Sequence, residues 1–252
     1  MARKRMVVAR VNPKKTTYKK YQKKTWAPNR YQMNIRSMGF RGLELKYRDT
    51  FYGLQPVATS WAPIDPTVEG HLVPVGQGST PDQRDGTKLT VKSLFIRGQI
   101  RWLGQDDQTS VDHPGACKIV VFLDTQTNKA APTVSGGEDS GALFISSSTT
   151  SDIMGFRGLA GTDRYKVLQT KIVQPNVGGG VGGSGTADEF SSNGVYRTWE
   201  IDLPNLNIPM RFNSGASGNI GDVLDNSLHI CACRGGDRGV HIEYQARVRF
   251  LP

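Results

Sequence analysis

The sequence predicts an all-β fold, two packed antiparallel sheets or a barrel, carried behind a basic N-terminal arm. Three observations lead there. The 252 residues include 29 Gly and 13 Pro, a composition that calls for many turns and short strands. Stretches in which apolar and polar residues alternate recur along the chain, about eight of them, with no long helical period and no strand–helix–strand alternation. The excess positive charge is confined to one end. Residues 1–43 hold 13 of the 32 basic side chains and no Asp or Glu. The rest keeps 19 basic against 22 acidic residues, a net −3 in a chain whose total is +10.

The arm carries Arg3, Lys4, Arg5, Arg10, Lys14, Lys15, Lys19, Lys20, Lys23, Lys24, Arg30, Arg36 and Arg41. A like-charged block of this kind cannot collapse on itself and is expected to stay disordered until a polyanion neutralises it. Tyr18, Tyr21, Trp26 and Tyr31 are interleaved with the cations. Cations meet phosphates while aromatic faces stack on bases, so the pattern suits single-stranded nucleic acid. The bland alternative is a solvated tail without a partner. A membrane surface fits poorly, because the basic residues have no amphipathic period and Pro13 and Pro28 break any long helix. No apolar run approaches the ~20 residues of a span; the longest is 119–123. No apolar h-region follows the basic start, so a secretory signal is not expected, and the chain reads as intracellular and reduced. The clusters 3–5 and 14–24 also have the composition of nuclear import signals. Behind the arm, about 210 residues suit one all-β domain with a real core.

Residues 43–52 alternate Leu43, Leu45 and Tyr47 with Glu44, Lys46 and Arg48, and read as a half-buried strand with the apolar set inward. Residues 53–88 are rich in Pro and Gly, lack sustained period, and read as a long loop carrying Trp61. Residues 89–103 are the longest strand candidate, apolar on both faces and therefore central; Gly98 marks the expected bulge where alternation changes phase. Residues 117–124 are a continuous apolar run, a buried strand. Shorter candidates follow at 143–146 and 163–174. The glycine-rich 178–185 is not a phosphate-cradling loop, since Thr186-Ala187-Asp188 follows where Gly-Lys-Ser/Thr is needed. Residues 195–203 and 206–212 are strand-like on either side of Pro204, and 226–233 alternate again. Residues 239–251 show the cleanest period two: Val240, Ile242, Tyr244, Ala246, Val248 and Phe250 against His241, Glu243, Gln245, Arg247 and Arg249. That strand is expected inside a sheet, with a wet, basic outer face.

Chemistry-bearing constellations are few. Cys117, Cys231 and Cys233 give no disulfide framework, and no zinc-ligand spacing accompanies them, so they read as small core residues and no metal or cofactor is expected. No Gly-x-Ser-x-Gly elbow is present. The acidic pairs Asp106-Asp107, Glu138-Asp139 and Asp188-Glu189 lie in Gly/Ser-rich loops and read as solvated turns. No enzyme is expected.

The segment QGSTPDQRDGTKLTVKSLFIRGQI from Gln77 resembles capsid proteins of small circular single-stranded DNA viruses, geminivirus-like and circovirus-like in the wide sense of the CRESS-DNA group. There a Gln-Gly and an Arg-x-Gly lead into a long strand with Lys-Ser near its middle; here these are Gln77-Gly78, Arg84-Asp85-Gly86 and Lys92-Ser93. DRYKVL at 163–168 is similar to the Asp-Arg-Tyr-x-Val-Leu of geminivirus coat proteins, and ELKYRDT at 44–50 to a first shell strand. The resemblance covers most of the chain in order. It departs from true geminivirus coat proteins in lacking a Cys/His cluster near the arm, which argues for a relative rather than a member. It implies a single eight-stranded jelly roll at 44–252, many copies of which close an icosahedral shell, with the arm at 1–43 facing the genome. The implied partners are further copies of the chain, single-stranded DNA and a host nuclear import receptor; the implied locations are the virion and the host nucleus. Arg84 and Arg97 could then meet a neighbouring subunit or nucleic acid, or lie on a solvated strand face; Trp61, Trp102 and Trp199 could be core or interface. A small RNA virus capsid, a non-assembling movement or nuclear shuttle protein, and an enzyme are the rival readings.

Overall fold

The computed structural model describes residues 44–102, 114–146, 152–175, 195–236 and 239–252. The chain divides into two units, Met1–Gly42 and Leu43–Pro252, and every described residue belongs to the second. The expected disordered arm and the 178–185 loop lie outside the described residues.

The fold is an all-β sandwich. Its strands are β1 (Lys46–Pro56), β2 (Ala62–Pro63), β3 (Lys88–Trp102), β4 (Pro114–Asp124), β5 (Ser135–Gly136), β6 (Phe144–Ile145), β7 (Tyr165–Val173), β8 (Val195–Leu203), β9 (Ile208–Phe212), β10 (Val223–Asp225), β11 (Ser227–Gly236) and β12 (Val240–Leu251). Among the described residues twelve strands stand where the sequence leads to about eight. Four of them, β2, β5, β6 and β10, have only two or three residues, too few for a period to show. The helical structure among the described residues is two 3-10 turns, Asp152–Met154 and Ile220–Asp222, and no described helix is long and apolar enough to cross a membrane.

One sheet has the order β1-β12-β3-β9-β10, with β8 also on β3; the other is β2-β11-β4-β7. All pairs in both are antiparallel. β8 and β9 run end to end along β3, opposite 94–102 and 88–91 respectively. Between them Asn205 and Asn207 take positive φ (59° and 53°) after Pro204, which breaks one edge into two strands. The pairing is nested: β1 with β12, β2 with β11, β3 with β8 and β9, β4 with β7. The first half of the chain thus meets the second half in reverse order.

The main core lies between the sheets. Its even-numbered β12 residues from Val240 to Phe250 are all buried, facing Ile119, Val121, Leu228 and Ile230 of the other sheet. The expectation that this strand lies inside a sheet holds, since it sits between β1 and β3. A second cluster fills the opposite face of the four-stranded sheet, where Val120, Phe122, Cys231 and Cys233 pack with Trp61, Leu143, Phe144 and Tyr165. β4 and β11 are therefore covered on both sides, which is why 117–124 reads as an unbroken apolar run. All three cysteines are buried, and Trp61, Trp102 and Trp199 are core residues.

Three local expectations are corrected. β1 buries the opposite face: Tyr52 and Lys46 are 7% exposed, while Tyr47 is 53% and Phe51 63%. Register with β12 sets this, since Lys46, Arg48 and Tyr52 oppose the inward Phe250, Val248 and Tyr244. The Lys and Arg stems cover apolar surface, and their heads reach Asp85 at 2.8 Å and Asp82 at 2.5 Å. The phase change in β3 occurs where Ser93 and Val91 oppose Arg249 and Phe250, not at Gly98. Gly98 instead makes room: a Cβ there would lie 2.7 Å from Tyr244 Cβ, 2.8 Å from Trp199 Cζ2 and closer still to the Glu243 carbonyl. Finally, 53–88 is not an open loop. Ile64 and Leu72 amides donate to Ile230 and Leu228 carbonyls at 3.0 and 2.9 Å. The segment thus straps the edge of the four-stranded sheet and buries Ile64, Leu72, Val73 and Val75.

Candidate nucleic-acid interface

Arg3, Lys4, Arg5, Arg10, Lys14, Lys15, Tyr18, Lys19, Lys20, Tyr21, Lys23, Lys24, Trp26, Arg30, Arg36 and Arg41 all lie outside the described residues. The described residues begin just before β1, which starts at Lys46. Strand alternation places a defined set of side chains on the outer face of the six-stranded sheet. β1 contributes Tyr47, Asp49 and Phe51; β12 contributes Glu243, Gln245, Arg247 and Arg249; β3 contributes Phe95, Arg97, Gln99 and Arg101; β8 contributes Tyr196, Thr198, Glu200 and Asp202.

Around the β1, β12 and β8 stretch the arginines are offset by carboxylates, while Lys88, Lys92 and Arg211 continue the same face along β3 and β9 and leave it net basic. Arg97, Arg101, Arg247 and Arg249 are matched in number by Asp49, Glu200, Asp202 and Glu243. Arg247 grips Asp49 through two hydrogen bonds of 2.7 Å, and those bonds hold the Asp49 carboxyl below its ordinary pKa. Arg101 reaches Glu243 at 3.3 Å, and Gln99 donates to the same carboxylate. Arg97 makes only a 3.5 Å contact to Gln245. The alternation of β12 shows its own arginines but not the carboxylates that β1 and β8 bring alongside.

Aromatic exposure distinguishes the face. Tyr47, Phe51 and Tyr196 are more than half exposed, and Phe95 is 36% exposed. The Arg247 guanidinium lies 5.2 Å from the Tyr47 ring centroid. A groove of about 360 Å³ runs between Asp49, Phe51, Phe95, Arg97 and Arg247. A second, of about 270 Å³, continues past Phe51 and Arg97 to Thr198 and Glu200. Phe51 and Arg97 border both. A planar ring laid in this groove would find an aromatic face and a guanidinium, the pair on which unpaired bases stack. Tyr47 and Phe51 escaped the sequence reading because β1 alternates in both phases, and only its register with β12 decides which set is outside.

Arg84 is a structural residue. It is fully buried, with Nε donating to Val75 O at 3.2 Å, Nη2 to Gly215 O at 2.5 Å and Nη1 to Gly86 O. Its guanidinium stacks over Phe212 at 4.3 Å. Arg97, by contrast, is exposed on the outer face.

Sequence also misses a buried polar row. Asp65 Oδ2 lies 2.7 Å from His229 Nδ1, whose Nε2 lies 2.7 Å from Ser227 Oγ, and Ser227 Oγ lies 2.6 Å from Thr127 Oγ1. The residue types are those of an acyl-transfer triad. Ser227 and His229 are nevertheless without solvent exposure, so the row joins the strap to β11 and presents no nucleophile to a substrate. No local signal could have paired Asp65 with a residue 164 positions away. Among the described residues no cluster of His, Cys, Asp or Glu could hold a metal ion. No protein-family model matches the chain, and neither does any curated protein.

Proposed function

We propose that the chain is a viral capsid protein that assembles into an icosahedral shell and packages single-stranded DNA through its basic arm. The observation that carries the reading is the charge split. A sandwich-forming unit with a net −3 bears an acid-free arm of 13 cations, which has the chemistry of a polyanion ligand and little other use. The resemblance of the 77–100, 163–168 and 44–50 segments to CRESS-DNA capsid proteins adds the assembly. The nested pairing supports an eight-stranded jelly roll, with β1-β12-β3-β8/β9 and β2-β11-β4-β7 as its sheets, β8 and β9 counted as one interrupted strand, and β5, β6 and β10 as additions. The outer face of the six-stranded sheet suits the shell interior: its aromatic groove takes bases while the arm takes phosphates. Import clusters in the arm fit assembly in a host nucleus. No catalytic step belongs to this reading.

Expression of the full chain, negative-stain microscopy and sequencing of co-purified nucleic acid test it. Closed isometric particles containing DNA are expected. Particles containing only RNA would move the reading to a small RNA virus. A soluble monomer that binds nucleic acid would replace it with a movement or shuttle protein.

A further inference from the structure

Two long connections meet at one end of the sandwich, the strap 57–87 and the turn 213–222. Arg84 ties them through Gly215, Gln77 N donates to Ala216 O at 2.9 Å, and Ile220 N donates to Glu69 O at 2.8 Å. His71, with no solvent exposure, sits between them. Its Nε2 lies 2.8 Å from Gly218 O, and its Nδ1 lies 3.3 Å from the Val73 amide nitrogen. A carbonyl only accepts, so Nε2 carries the hydrogen; an amide only donates, so Nδ1 must be bare. Both bonds exist together only for the neutral ring.

We propose that His71 is an acid-released latch: a proton on Nδ1 removes the Val73 bond and leaves an unpaired cation in the core, a cost relieved when this end of the sandwich opens and the ring reaches water. That proton would face the Val73 N–H. The charged groups around it offer no spare carboxylate. Asp65, on the strap, is engaged by His229 and by the Ile230 amide at 3.0 Å. Asp222 accepts from Ser217 Oγ at 2.6 Å and Gly218 N at 3.0 Å. The nearest ring, His229 on β11, is 6.5 Å away, and Arg84 has the same sign as the proton to be added. Burial accordingly pulls the His71 pKa from 6.5 to about 3.

The sign follows from linkage. A group with a depressed native pKa favours the closed state fully above its free pKa, and that advantage is lost as pH falls towards the native value. The window is pH 6.5 down to about 3. Well inside it each pH unit raises the open-to-closed ratio about tenfold.

Hydrogen–deuterium exchange of the purified full chain, corrected for intrinsic rates, reads this ratio in peptides covering 66–76 and 213–222. From pH 6.5 to 4.5 the ratio in these peptides should rise about fiftyfold, with β12 unchanged. His71→Gln can keep a donor for Gly218 and does not titrate, so its exchange should be flat over the same range. An equal slope in His71→Gln, or no slope in the wild type, would overturn the latch. Should His71→Gln fail to fold, imidazole ¹⁵N shifts of the wild type decide. A neutral Nε2–H ring in the folded state down to pH 4.5 is expected, and a ring that protonates near 6.5 without added exchange overturns the proposal.

Discussion

Arg84 and the cysteines show how burial converts reactive or sticky side chains into structural ones. The Arg84 guanidinium holds three carbonyls from two connections and lies on Phe212. Arg84→Ala leaves those carbonyls unpaired and is expected to cost about 2–3 kcal/mol, read as a lower urea midpoint at constant slope. Arg84→Lys should recover little, since one ammonium cannot span the three acceptors. A loss below about 0.5 kcal/mol would show that the clamp is incidental. Burial, with the nearby Cys233 thiol adding to it, pushes the Cys117 thiol up to about 12, and burial also raises Cys231 well above its ordinary value. Iodoacetamide at pH 8.5 should therefore label neither residue in the native protein and both after denaturation, as mass spectrometry would show. A raised native pKa means that the neutral thiol's contribution to stability is intact below pH 9 and is lost as pH climbs towards 12.

At the scale of strands, what the sequence makes legible is what one strand can say about itself. β12 alternates without interruption because one face meets the core and the other meets solvent, and β4 is uniformly apolar because both faces are covered. β1 buries the face opposite to the one its alternation suggests because amphipathic Lys and Arg can line a core edge when carboxylates wait at the rim, and Asp82 and Asp85 come from a different segment. For the same reason the candidate face was half legible: the arginines of β12 are visible in its own pattern, whereas Asp49 and Glu200 become neighbours only through pairing. Substitutions separate these cases. Ile96→Asp on β3 lies between Ala246 and Ile201, with no cation opposite, and is expected to abolish folding. Val248→Asp should be milder, because it stands opposite Arg48, whose buried Nε lacks a partner. Circular dichroism melts of the two variants would rank them, and the reverse order would show that Arg48 does not reach across. Gly98→Ala should also destabilise, by about 1–3 kcal/mol, since overpacking here moves β12 and β8 together.

For the whole molecule, the proposed function has folding and packaging use different parts of the chain. Every described residue of the two cores lies between Tyr52 and Phe250, and every excess cation lies before Glu44. Deleting residues 1–40 is therefore expected to leave the thermal transition nearly unchanged and to abolish retention of nucleic acid. An unfolded deletion variant would place the arm in the core and end this division. The remaining binding energy can be partitioned by salt. An arm that meets on the order of ten phosphates releases ~0.7 counterion for each on a single strand, a log–log slope near −7. Around the groove the outer face has as many carboxylates as guanidiniums, so a base stacked there should add affinity with little further slope. Phe51→Ala and Phe95→Ala in the full chain are accordingly expected to weaken single-strand binding by about 1–3 kcal/mol per lost stack, while the salt slope stays near −7. Fluorescence anisotropy against an unstructured oligonucleotide over a salt series measures both quantities at once. Loss of slope without loss of affinity at fixed salt would mean that the face contacts phosphates and that the groove holds no base.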